Sequence, residues 1–203
     1  MGKATKKRAI LKDEIKKLIE FDVSNITTYY TPYLKLSKDI FIFSYLGCGI
    51  NFTDIANLTY GNIVQDRIFY ERQKTGKQIN FQLQPLALSL IEKYRGLNSK
   101  EDDYIFPILN KRIHITEQQK YDRIHKSIGG VNKTLKRIGE LAGLSIPLTT
   151  YVARHTFATV LKRSGVNTGI ISESLGHSSE KVTQVYLDCF ENSQIDEAMK
   201  SLL

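Results

Sequence analysis

The sequence predicts an α+β domain, mainly helical, with one small antiparallel β-hairpin or sheet. Two observations carry that expectation. Apolar residues recur at helical spacing along most of the chain, and a single stretch, RIFYERQKTGKQINFQL, changes to β-prone runs flanking a turn. With 203 residues, 41% of them hydrophobic, the chain is long enough for one sizeable core.

Residues 1–12, MGKATKKRAILK, carry five positive charges and read as a flexible basic arm. Leu11, Ile15, Leu18 and Ile19 then mark one face of a first helix. Ser37 is positioned to cap a second helix through Ile40, Ile42, Phe43 and Leu46. NFTDIANLTYGNI, from Asn51, reads as a short helix. In the hairpin that follows, Gly76 within Lys74-Thr75-Gly76-Lys77 supplies the turn.

Residues 86–94 return to helix, 98–103 form a polar loop, and 109–124 read as a loop or insertion. A helix over 130–142 presents Val131, Leu135, Ile138 and Leu141 on one side. Thr149 or Thr150 caps a helix ending before Gly165, and Asn167 or Thr168 caps another ending at Gly176. Ser178 or Ser179 opens a third through Tyr186.

Lysine and arginine total 29 against 21 acids, a formal charge of +8, which suits an anionic polymer as partner. Cys48 and Cys189 stand alone without CxxC spacing, which fits a reducing, cytosolic compartment better than a disulfide framework or a zinc site. No apolar run approaches the ~20 residues needed to span a bilayer, so no membrane partner is expected.

The residues suited to chemistry lie in the C-terminal third. Exchanging phosphodiester bonds without a metal requires a nucleophile that stays attached, donors for the phosphorane oxygens and an acid for the departing oxygen. Arginine suits the second role, because its planar fork donates two bonds to a phosphate and keeps its charge. Arg154-His155 lies near the start of an amphipathic helix; His177 follows 23 residues after Arg154, and Tyr186 nine residues after His177. Each of these alone is an ordinary polar or core residue. The spacing of all three is specific.

The runs ARHTFAT, LGHSS and VTQVYL resemble box II of the tyrosine recombinase (phage integrase) family, and KTGK in a hairpin resembles that family's active-site lysine. The resemblance covers about residues 10–190. It implies a catalytic domain over 13–190 of a longer DNA-cutting enzyme, an N-terminal core-binding domain completing the DNA clamp, and a C-terminal exchange helix over 191–203. It implies Tyr186 as nucleophile, Arg154 as a clamp on the scissile phosphate, His177 as a donor to it and Lys74 as the acid for the 5′-hydroxyl, with Lys77 its rival. Double-stranded DNA is the implied partner, a tetramer the implied assembly, and no cofactor is needed.

The chain departs from the family pattern twice. Asn51, in GINFTD, stands where the first family arginine belongs, as in a subgroup associated with conjugative elements; that subgroup's upstream alternative position is Cys48 here. Tyr151 stands where a histidine precedes the second arginine by three residues. Tyr151 joins the catalytic candidates, and Asn51, Arg72, Lys77 and His155 are candidate DNA contacts. Two other readings remain: a helix-turn-helix over residues 165–187 in a DNA-binding protein without chemistry, and an integrase remnant that binds DNA but no longer cuts.

Overall fold

The computed structural model describes residues 9–26, 31–177 and Thr183. Its helices are α1 (Lys12–Glu20), α2 (Thr31–Leu46), α3 (Phe52–Asn57), α4 (Pro85–Tyr94), α5 (Glu117–Leu141), α6 (Thr150–Arg163) and α7 (Thr168–Ser174). The strands β1 (Ile63–Val64), β2 (Arg67–Glu71) and β3 (Gln78–Gln82) form one antiparallel sheet in the order β1-β2-β3. The mainly helical α+β expectation holds, with β1 as an addition.

Helix α2 is the centre. Ile40, Phe41, Ile42 and Phe43 are all buried, the signature of a helix covered on every side. It packs against both α5 and α6. Helix α5 turns a stripe of Ile124, Val131, Leu135 and Ile138 inward, spaced three, four and seven residues apart as one helical face requires. Leu141, expected on that stripe, is exposed.

The start of α2 is Thr31 rather than Ser37, which sits fully buried in mid-helix. Helix α5 begins at Glu117, so half of the segment read as an insertion is helical and Gly129-Gly130 lie inside the helix. Its start is a capping box: the Gln119 amide donates to Thr116 Oγ1 and the Thr116 amide to Gln119 Oε1. Ala9 and Ile10, within the segment read as an arm, are buried, and the Ile10 amide donates to Thr156 Oγ1 on α6 at 3.2 Å. Two helix starts follow the expected signals, while the helix expected from Ser178 or Ser179 through Tyr186 lies outside the described residues. Thr149 accepts from the Val152 amide, Asn167 from the Gly169 amide, and α4 opens on Pro85.

Tyr70 faces Ile79 and Ile68 faces Phe81 across the hairpin, placing its apolar side on the core. Gly76, with φ of +64°, takes the left-handed turn position. A smaller cluster of Phe157, Ala158, Ile171 and Leu175 holds α7 against α6. These last elements bring the candidate site residues together.

Candidate active site

Three chain segments meet around Arg154: the turn after α2, the first turns of α6 and the loop after α7. The turn after α2 passes through Cys48 and Gly49, both with positive φ. This aims the Gly49 carbonyl at Arg154, whose Nη1 donates to it at 2.5 Å. Nη2 donates to the Leu175 carbonyl at 2.5 Å and to His177 Nε2 at 3.0 Å. Arg154 is thus buried and held by carbonyls from two other segments.

Because a guanidinium only donates, His177 Nε2 must present its lone pair. The ring proton therefore sits on Nδ1, which donates to Thr183 Oγ1 at 2.8 Å. Burial first, then the charges of Arg154, Arg72, Lys74 and Lys77, push His177 down to about 4. In this arrangement the ring accepts at Nε2 instead of offering a proton to a phosphate, as its sequence position implied.

One cavity of about 520 Å³ gathers Asn51, Asp54, Arg72, Lys74, Tyr151 and Arg154. Asn51 is occupied twice: its Oδ1 accepts from the Asp54 amide, capping α3, and its Nδ2 donates to Asp54 Oδ2 at 2.6 Å. Asp54 in turn accepts from the Gln73 amide at 3.0 Å, which ties α3 to the turn carrying Lys74. Burial raises the Asp54 carboxyl above its ordinary range, opposed by the Gln73 hydrogen bond and by Arg72 and Arg154.

Lys74 and Lys77 part company. Lys74 is exposed and lines the cavity with Arg154, whereas Lys77 lines a separate one with Cys48, Ile79 and Glu173. Tyr151 is 48% exposed and meets His155 edge-on at 4.5 Å between ring centroids. His155, a candidate DNA contact, is buried at 2% exposure and so bears on that ring rather than on an outer surface. Arg72, another such candidate, is also buried and lines the cavity. Tyr186 lies outside the described residues.

Sequence reasoning left out the carbonyls of Gly49 and Leu175 that hold Arg154, the link from Asp54 to Gln73, and Thr183. The glycines carried a signal. A Cβ on Gly49 would sit 3.1 Å from Arg154 Cγ, and one on Gly176 would sit 3.0 Å from Arg72 Cδ. Residues 165–177, read alternatively as part of a helix-turn-helix, instead supply backbone to this site. Among the described residues, no cluster of His, Cys, Asp and Glu is arranged to hold a metal ion, and no helix is long and apolar enough to cross a membrane.

Comparison with known proteins places this geometry in context. A curated tyrosine recombinase of Pseudothermotoga lettingae is 28% identical over 200 residues, covering 95% of this chain and 60% of that protein. A crystal structure of XerA recombinase superposes with a TM-score of 0.68 at 20% identity, over 99% of this chain and 65% of that one. A lambda integrase tetramer bound to a Holliday junction matches with a TM-score of 0.54 at 19% identity, over 92% of this chain and 50% of that one. At these identities the structural matches establish the fold alone, and this chain spans less than two thirds of each of these proteins. The model of the phage integrase family matches residues 8–192, nearly the whole chain, and the protein belongs to that family.

Proposed function

We propose that this domain cuts and rejoins DNA strands as a site-specific recombinase, through a covalent link from Tyr186 to a 3′-phosphate. The observation that carries this reading is the cavity in which Lys74 and Arg154 converge, with Arg154 bonded to His177. Tyr186 Oη loses its proton to solvent and attacks the phosphorus, the bond to the 5′-oxygen breaks, and Lys74 gives that oxygen its proton and is reprotonated from solvent. A 5′-hydroxyl from the partner strand then reverses the step, so the phosphotyrosine bond conserves the energy of the bond it replaces. A tyrosine hydroxyl with pKa ~10 attacks readily only where its charge is stabilised, and the cationic cavity supports that.

Double-stranded DNA is the partner this reading requires, and the excess of basic residues supports it. Assembly as a tetramer on two duplexes is the corresponding oligomer, in line with the tetrameric lambda integrase match. The protein would then work in the cytosol, where prokaryotic DNA lies. On this reading residues 13–190 are its catalytic domain, and 191–203, which lie outside the described residues, its exchange segment. Asn51, neutral and engaged by Asp54, supports reading the chain as one of the subgroup lacking the first arginine.

The test is incubation with nicked suicide DNA followed by denaturing electrophoresis. A covalent adduct forms with the intact chain and is lost in Tyr186→Phe, while DNA affinity is kept. An adduct that persists in Tyr186→Phe moves the nucleophile to another tyrosine. Binding without any adduct identifies an inactive remnant.

A further inference from the structure

Resting on the recombinase reading, we propose that Arg72 binds the scissile phosphate itself, its guanidinium holding a non-bridging oxygen opposite Arg154 and supplying the positive fork that position 51 lacks.

Arg72 is buried at 7% exposure although it stands at the end of a surface hairpin. Its backbone is pinned by the turn: its amide donates to the Lys77 carbonyl, and its own carbonyl accepts from the Thr75 and Gly76 amides. Its stem crosses Gly176, where a Cβ would come within 3.0 Å of Arg72 Cδ. Nη1 donates to the Gly176 carbonyl, one residue beyond the Leu175 carbonyl that takes Arg154. The loop after α7 therefore holds both guanidinium groups through adjacent carbonyls.

What Arg72 is given by the protein does not complete it. Its Nε is buried with no hydrogen-bond partner among the described residues. A buried charged donor left open is costly unless a ligand completes it. The charges around it select an anion: Arg72, Lys74 and Arg154 line the cavity against the single carboxylate of Asp54, which the Gln73 amide and Asn51 already engage. A phosphate diester carries the missing negative charge, and two planar forks suit its two non-bridging oxygens.

The experiment compares cleavage of suicide DNA carrying an ordinary scissile phosphate with DNA carrying a methylphosphonate there, whose neutral centre needs less charge compensation. Arg72→Ala should cut ordinary DNA slower by about 10²–10³, as for loss of a preorganised oxyanion donor, and methylphosphonate DNA within about tenfold of the intact chain. Should Arg72→Ala fail to fold, Arg72→Gln keeps a stem over Gly176 without the charge and gives the same comparison. Equal slowing on both substrates overturns the proposal and leaves Arg72 as a brace for the Gly176 loop. Absence of cleavage by the intact chain on both substrates removes the recombinase reading, and this proposal with it.

Discussion

Arg154 donates to His177 Nε2 at 3.0 Å, and that bond fixes the ring in its neutral form with the proton on Nδ1, toward Thr183. The consequence is a pH dependence of stability. Between its ordinary value of 6.5 and its folded value of about 4, His177 takes a proton in the unfolded chain that it refuses in the folded one. Its contribution is therefore intact above pH 6.5 and is lost as the pH falls through about 4. Melting temperatures of the intact chain and of His177→Gln, measured across that window, should differ in slope, the variant falling less steeply on acidification. Parallel profiles would show that the ring is not held neutral.

Gly49 is the second point of control over Arg154. A Cβ there would stand 3.0 Å from Leu175 Cδ2, 3.1 Å from Arg154 Cγ and 3.3 Å from Arg154 Cα, at a φ of +66°. The backbone atom cannot move aside as a side-chain end can. Gly49→Ala should therefore displace Arg154, slowing cleavage while costing more than the ~1–2 kcal/mol of left-handed strain alone. Gly165→Ala is the comparison, since its φ is +79° but nothing among the described residues lies within 4 Å of the added carbon. It should show the strain cost in denaturation and leave cleavage unchanged.

The two glycines also show what was legible in the sequence. The ends of α6 and α7 were readable because Thr149, Asn167, Gly165 and Gly176 act locally, each within a few residues. The start of α5 was missed, although Thr116 and Gln119 have capping-box spacing, because the polar stretch around them reads as a loop. The start of α2 was missed as well, because Ser37 resembles a cap until the packing around the helix buries it. In the site, the spacing of Arg154 and His177 pointed to a shared site, but not to the hydrogen bond between them. The burial of Arg72 and His155 could not be read, because it depends on contacts far apart in sequence, such as that of Arg72 with Gly176.

Asp54 offers a different kind of test, because it reaches the lysine turn only through backbone. Its Oδ1 accepts the Gln73 amide and its Oδ2 the Asn51 side chain. In Asp54→Ala both bonds are lost and the Gln73 amide is left without its acceptor, at a cost of about 1–3 kcal/mol for a buried group. Hydrogen exchange at the Gln73 amide should quicken and cleavage should slow, while DNA affinity holds or rises because a negative charge has left the cavity. Unchanged exchange at Gln73 would mean that the hairpin positions Lys74 without help from α3.

The assignment of the acid rests on which lysine shares the cavity with Arg154. Lys74 does, and Lys77 lines another with Cys48 and Glu173. An acid is needed only when the departing 5′-oxygen must be protonated; a 5′-bridging sulfur leaves readily as a thiolate. Lys74→Ala should therefore slow cleavage of ordinary DNA by roughly 10²–10⁴, the usual contribution of a positioned acid, and slow phosphorothiolate DNA far less. Lys77→Ala should change neither rate by as much, because its backbone carbonyl, rather than its side chain, is what the hairpin uses when it accepts from the Arg72 amide at 2.9 Å. If Lys74→Ala slows both substrates equally, the lysine holds DNA or the turn in place instead of donating the proton. If Lys77→Ala shows the substrate-dependent loss, the acid enters from the other side of the hairpin, and the turn must rearrange when DNA binds.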